Sequence, residues 1–197
     1  MNIGDNPLVT KISLKKSPKI SLKNKLNSSI LHDYIIPCII GVIIGLFVNQ
    51  FFSITNVKGL SMHPTLNNND ILIMNKIPKY NKTIKHGDIV IFNASPFEHN
   101  KSQKVYYIKR IIGMPGDKVV ITNGGVYLND SVLEEPYLEN IKTDGNINII
   151  VPDNSYFVLG DNRGGSADSR IFGVISHEDV VGIAIFRLWP IWKFKLN

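Results

Sequence analysis

The chemistry open to this chain starts at Ser61, within Gly59-Leu60-Ser61-Met62-His63-Pro64-Thr65-Leu66. A glycine two residues before it and a proline three residues after it allow backbone that turns sharply and is then held still. Most serines in turns are there for turn chemistry, and a serine hydroxyl becomes a nucleophile only beside a base. Histidine is the usual base, and the chain has five. His32 precedes a long apolar run, while His86, His99 and His177 lie in turn-like stretches with no matching carboxylate pattern. His63 would point the same way as Ser61 on an extended segment, but reads as a solvated turn histidine. None of the five stands at a metal-ligand spacing such as HExxH, so neither a metal nor another cofactor is expected. The single cysteine, Cys38, falls inside the apolar run. Burial there would raise its pKa and make it a poor nucleophile, so it reads as a small apolar side chain.

Lys109 offers a different base, within Tyr106-Tyr107-Ile108-Lys109-Arg110-Ile111-Ile112-Gly113-Met114-Pro115-Gly116-Asp117. An ordinary lysine is neutral only about 0.04% of the time at pH 7. Serving as a base requires desolvation that lowers its pKa by about 2–3 units, at a cost of roughly 3–4 kcal/mol. On a strand, Tyr107, Lys109 and Ile111 share one face, and a lysine between apolar neighbours loses hydration. The commoner arrangement is a strand-edge lysine whose amine reaches water. A third stretch, Gly160-Asp161-Asn162-Arg163-Gly164-Gly165-Ser166-Ala167-Asp168-Ser169-Arg170, reads on its own as a well-built turn. At a surface its Asp–Arg pair would be worth little.

Taken together, the three stretches resemble the bacterial type I signal peptidases, membrane-bound serine proteases with a Ser-Lys dyad. The likeness is to Gram-positive-like members with one N-terminal anchor, and it runs from about Tyr34 to Trp189. The resemblance implies Ser61 as nucleophile and Lys109 as general base, and it leaves position 63 variable, which sets His63 aside. It implies that Ser166 hydrogen-bonds and orients the Lys109 amine. Asp168 and Arg170 would pair near the site and hold the loop that Gly160, Asp161 and Asn162 open. Some members carry a serine two positions before the nucleophile whose hydroxyl helps form the oxyanion hole. Here that position is Gly59, and the backbone N–H groups of Gly59 and Ser61 are expected to supply the hole. Gly164-Gly165 replaces bulkier polar residues often found after Arg163, which bears on loop rigidity rather than chemistry. Asp88, in His86-Gly87-Asp88-Ile89-Val90-Ile91-Phe92, matches a further family segment and is expected to be structural.

The elements that must position these residues are legible in outline. A chain of 197 residues suffices for one core with a small satellite lobe. The net charge of +6 is concentrated in residues 1–33, where six lysines face two aspartates. A basic tail before an apolar run is an orientation signal and not a nucleic-acid face, which needs Lys and Arg clustered on the folded domain. Residues 34–57 carry no charge. Their densest part, Tyr34 to Ile54, would span about 32 Å as a helix. That is longer than the apolar region of a cleaved secretory signal, and no A-x-A pattern follows it. An uncleaved anchor with residues 1–33 in the cytoplasm and the main body outside is expected. Pro37 is expected in the first helical turn. Ser61 lies within about 25 Å of chain from Ile54, hence near the outer membrane face.

Downstream the pattern is β. Short β-branched or aromatic runs over 70–74, 88–92, 105–112, 118–121, 126–128, 156–159 and 182–188 are separated by turn residues. Val119–Ile121 and Val126–Leu128 across Asn-Gly-Gly predict a hairpin. Residues 118–152 are expected to form a smaller β-ribbon lobe, with 139–150 an exposed connection or ribbon. The fold class expected is mainly β: an N-terminal transmembrane helix, then an extracytoplasmic catalytic domain (58–197) of coiled antiparallel sheets.

The resulting reading is a serine endopeptidase that removes N-terminal signal peptides from secreted pre-proteins at the outer face of the cytoplasmic membrane. Its expected partners are pre-proteins with small residues before the cut, and membrane lipid. A self-cleaving repressor-type Ser-Lys protease would be soluble and carry a DNA-binding domain. A tethered binding homologue with a decayed site would not keep Ser61, Lys109, Ser166 and Asp168 together. At the carboxyl end Trp192 is expected at the membrane interface, with Trp189 divided between interface and core.

Overall fold

A computed structural model describes residues 30–81, 83–98, 104–138 and 141–190. The tail up to residue 29, His99, Ile191 and Trp192 lie outside the described residues. The chain divides into two compact units, Met1–Gly45 and Leu46–Asn197.

Helical turns run from Leu31 to Phe51, long and apolar enough to cross a membrane, with no buried residue in α1 (Ile36–Phe51). A wider π turn over Leu31–Ile35 precedes it, in which the Ile36 N–H reaches back to Leu31 O. Pro37 therefore follows a helical turn instead of opening the helix. Its ring would crowd the carbonyl four residues back in a regular α-turn, and widening that turn relieves the crowding. The helix also ends earlier than residue 57. Phe52–Asn56 forms strand β1, paired antiparallel with β2 (Ile71–Asn75) from Phe52↔Asn75 to Asn56↔Ile71. The apolar composition runs straight through this change, so only the pairing partner reveals it.

The second unit contains two antiparallel sheets. The larger has the order β1-β2-β11-β3-β4-β9-β10, where β3 is Ile89–Asn93, β4 Tyr106–Gly113, β9 Ser155–Leu159, β10 Ile175–Ser176 and β11 Val180–Trp189. β3 lies between β11 and β4, and Ile89 to Phe92 are all buried. Asp88 opens this strand by accepting the Lys85 N–H at 2.8 Å, a turn role as expected. β2 and β11 each leave one face outward at their ends, so Leu72 and Met74 are core while Phe186, Leu188 and Trp189 are exposed. A short helix α2 (Ile77–Asn81) follows β2, and Lys76 Nζ donates to Asn49 O at 3.0 Å, a cation at a helix C-terminus.

The smaller sheet has the order β7-β6-β5-β8, with β5 Lys118–Thr122, β6 Gly125–Leu128, β7 Ser131–Val132 and β8 Ile147–Ile150. β5 and β6 form the hairpin foreseen at Asn-Gly-Gly, and both Asn123 (φ 51°) and Gly124 (φ 80°) adopt the positive φ that a tight type I′ turn demands. β8 is a regular strand in which Ile147 and Ile149 pack on the core and Asn148 and Ile150 face outward. The sheets share apolar core where β4 passes into β5, with Ile112, Val119, Val151, Phe157 and Leu159 in one cluster.

Gly113 sits at this junction. A Cβ there would lie 2.6 Å from Val119 Cγ2 and 2.9 Å from Val151 Cγ2, closer than packed carbon atoms approach. Gly113→Ala is therefore expected to destabilise the second unit by about 1–3 kcal/mol. Gly164→Ala, whose Cβ meets nothing within 4 Å, should shift the melting temperature far less; equal shifts would contradict the packing assigned to this junction.

Candidate active site

Ser61 lies in the loop joining β1 to β2. The loop is closed at its base by Val57 N–H to Asp70 O (2.8 Å) and Asn69 N–H to Val57 O (2.9 Å). Inside it, Leu66 N–H donates to Met62 O at 2.8 Å, making one helical turn whose Met62 and Leu66 side chains are core. A buried arginine on β11 braces the same loop. Arg187 Nε lies 3.1 Å from Asp70 Oδ2, and Arg187 Nη2 donates to Thr65 O. The sequence pattern shows only a strand there, because a buried arginine has no periodic signature of its own.

Lys109 sits mid-strand on β4, opposite Val90 of β3. Its Nζ lies 2.8 Å from Ser61 Oγ and donates to Ile108 O at 3.1 Å. Only 3% of the residue is exposed. Burial pushes its pKa down to about 8, against the pull of Asp168 and Asp161, whose charges favour the ammonium. The strand-edge arrangement with the amine in water is thus not the one adopted.

The loop after β9 supplies the surroundings. Asp161 is fully buried and accepts from Arg110 Nε (2.9 Å) and Nη2 (2.7 Å), and from the Thr65 hydroxyl. Arg110 also donates to Gly87 O at 2.9 Å and lies 3.8 Å over the Tyr137 ring. Asp168 pairs with Arg170 through Nε and Nη2, both at 2.8 Å. It also accepts the Gly160 N–H at 3.1 Å and caps the short helix α3 (Ser169–Phe172). This pair is no surface contact, since Asp168 is fully buried. Arg170 Nη2 in turn donates to Arg163 O at 2.7 Å, and Arg163 reaches Glu135 Oε2 (2.8 Å) and Gly160 O (3.1 Å). The loop is therefore tied to β4 and to the segment that follows β7, and Gly164-Gly165 does not leave it unsupported.

Three expectations are corrected. Ser166 does not bond to Lys109: its Oγ is buried with no hydrogen-bond partner among the described residues. It lies against Gly160, where a Cβ would strike Ser166 Oγ and come 2.5 Å from Ser61 O. Gly59 does not offer a free N–H beside Ser61, because Asn68 Oδ1 accepts that N–H at 2.9 Å. Among the described residues no protein acceptor takes the Ser61 N–H. Finally, His86 does have a carboxylate, Asp117 Oδ2 at 2.6 Å, but the pair is solvent-exposed and absent from the groove that Ser61 lines. His177 is a core residue held by Tyr156 OH (2.7 Å) and Lys79 O (2.8 Å).

Ser61 and Lys109 open on a groove of about 660 Å³ lined on one side by Thr55 to Met62 and on the other by Lys104 to Ile108. Both walls present backbone without a partner strand. β1 is the outermost strand of its sheet, and β9 pairs with β4 only from Arg110 onward. An extended peptide could add to either edge. Among the described residues no cluster of His, Cys, Asp and Glu could hold a metal ion.

Residues 30–189 match the family described as signal peptidase, peptidase S26. The chain belongs to this family. It is 35% identical over 185 residues to a signal peptidase I P from Bacillus subtilis subsp. natto, covering 88% of this chain and 97% of the relative. It is 36% identical over 186 residues to a Staphylococcus aureus signal peptidase IB, covering 85% and 94%. A crystal structure of an Enterococcus faecalis signal peptidase I overlaps 51% of this chain and 96% of that one, at 30% identity and TM-score 0.44.

The signal peptidase keeps a lysine where the fold would be better served by an apolar residue. At pH below about 8 the folded state holds a desolvated ammonium that the unfolded chain does not. Between about 8 and 10.5 the folded protein sheds that proton first, so stability rises with pH through this window. Lys109→Met is expected to raise unfolding stability at pH 7 by roughly 3 kcal/mol. The advantage should shrink as pH rises from 8 to 10.5; a variant no more stable than the parent at pH 7 would contradict the desolvation of Lys109.

Proposed function

We propose that this signal peptidase removes N-terminal signal peptides from secreted pre-proteins, with Ser61 as nucleophile and Lys109 as general base. The observation that carries the reading is the 2.8 Å separation of Lys109 Nζ and Ser61 Oγ around a buried amine. The substrate lies as an extended strand in the groove, with small side chains at the first and third positions before the cut. Ser61 Oγ attacks the carbonyl carbon while neutral Nζ takes its proton, and the carbonyl π electrons move to oxygen. The Ser61 N–H, which has no acceptor among the described residues, faces the oxyanion. Collapse breaks the C–N bond, Lys109 returns the proton to the leaving amine, and the signal peptide remains as an ester on Ser61. A water loses a proton to Nζ as it attacks that ester, and Ser61 Oγ is reprotonated as the acid leaves. Asp168 and Arg170 hold the loop, and Ser166 fills the space over Gly160.

The reading also assigns residues 1–33 to the cytoplasm and the catalytic unit to the outer membrane face. The lysine asymmetry supports it, as does an apolar surface on the larger sheet. Ile54, Ile73 and Phe186 lie in one cross-strand row, with Ile54 66% and Phe186 43% exposed and Trp189 53% exposed at the strand end. Trp189, divided beforehand between core and interface, falls on the exposed side.

Precursor cleavage is expected to rise with pH as one group loses its proton near pH 8. Ser61→Ala, Lys109→Ala and Lys109→Arg should all be inactive, because a guanidinium stays protonated. Substantial turnover by Lys109→Arg would exclude a neutral lysine base.

For the membrane assignment, protease added to intact spheroplasts should digest the catalytic unit and spare the tail. A chain starting at Leu46, which retains β1, should bind anionic vesicles and lose at least threefold in affinity with Ile54→Ser and Phe186→Ser combined. Protection of the catalytic unit, or unchanged vesicle binding, would overturn it.

A further inference from the structure

Asn162 grips the nucleophile from both sides. Its side-chain Nδ2 donates to Leu60 O at 3.1 Å, and its backbone N–H donates to Ser61 O at 3.0 Å. These are the carbonyls of the two peptides that flank the Ser61 Cα. Leu60 O receives a second bond from His63 N–H at 3.1 Å, so both of its lone pairs are engaged. A trans peptide is planar, with its C=O and N–H pointing in opposite directions. The plane that carries Leu60 O also carries the Ser61 N–H. Holding the carbonyl at one end therefore aims the N–H at the other, away from Asn162. Position 165 is shaped to permit this grip, since a Cβ on Gly165 would lie 2.8 Å from Asn162 Nδ2. Gly59 N–H is already bonded to Asn68 Oδ1, which leaves the Ser61 N–H as the donor whose direction matters.

We infer that Asn162 is a positioning residue for the oxyanion donor: by holding Leu60 O it fixes the direction of the Ser61 N–H. The inference rests on the Ser61–Lys109 reading above and adds a component to it. Asn162 does not line the groove, and the Lys109 amine bonds to Ser61 Oγ and Ile108 O instead. Its loss should lower transition-state stabilisation and leave substrate binding and the titration of the base unchanged. Removing a whole oxyanion donor costs about 10²–10³ in kcat, and misdirecting one should cost less, about tenfold.

The test compares the full-length protein with Asn162→Ala, Asn162→Asp and Gly165→Ala on a neutral precursor peptide. Asn162→Ala should lower kcat about tenfold, with KM within twofold and the pH midpoint near 8 unmoved. Asn162→Asp keeps the shape, replaces the donor by an oxygen that repels Leu60 O, and should lose more. Gly165→Ala displaces the amide without removing it and should lose less, which keeps the test valid if an Asn162 variant fails to fold. Affinity for a peptide boronate, which forms a tetrahedral adduct on the serine, should fall in proportion to kcat. Unchanged kcat in the folded variants, or a loss carried by KM or by a shifted pH midpoint, would overturn the inference. Activity surviving in Ser61→Ala would instead overturn the dyad itself.

Discussion

An ammonium ion is most stable in water, and the organisation of this protein turns on keeping Lys109 out of it. The amine lies on a central strand, 3% exposed and 2.8 Å from a serine hydroxyl, and burial brings its pKa to about 8. That position is unfavourable for folding and useful for proton transfer. The surrounding fold has to tolerate the desolvation without letting the amine swing to solvent or find a carboxylate of its own. Asp161 and Asp168 are the carboxylates whose charge pulls hardest on it, and each is already paired with an arginine.

Those pairings explain why so many buried charges surround a small site. Arg110 holds Asp161, Arg170 holds Asp168, Arg163 holds Glu135, and Arg187 holds Asp70. Single buried ion pairs are weak evidence for stability, because desolvation offsets much of the attraction. Their planar, multiply donating guanidinium groups instead fix geometry. Each also reaches a backbone carbonyl: Gly87, Arg163, Gly160 and Thr65 respectively. The loops carrying Ser61 and Asn162 are thereby tied to β4, β11 and the segment that follows β7. A serine far from its lysine in sequence can then be held within hydrogen-bond range of it.

Glycines complete the arrangement where backbone and side chain must approach more closely than a Cβ permits. Gly160 admits Ser166 beside the Ser61 carbonyl, and Gly165 admits the Asn162 amide. The groove beside them is bounded by two strand edges, so its walls offer main-chain hydrogen bonds to any extended peptide, whatever its side chains.

The sequence by itself determined the membrane-length helix, the mainly antiparallel β character, the Asn-Gly-Gly hairpin and the candidacy of Ser61 and Lys109. Each rests on local rules: an uncharged run long enough to span lipid, β-branched runs between turn formers, positive φ at Asn123 and Gly124, and motif resemblance. What escaped it is non-local. β1 continues the apolar composition of the helix and becomes a strand only because β2 satisfies its backbone; β7 and β10 are two residues long and carry no period. Arg110 and Arg187 read as strand residues until their buried partners are known. The direction of the Gly59 N–H, the empty hand of Ser166 and the grip of Asn162 depend on which atoms of distant loops meet. Only tertiary structure decides that, because hydrogen-bond partners are chosen by position in space and not by spacing along the chain.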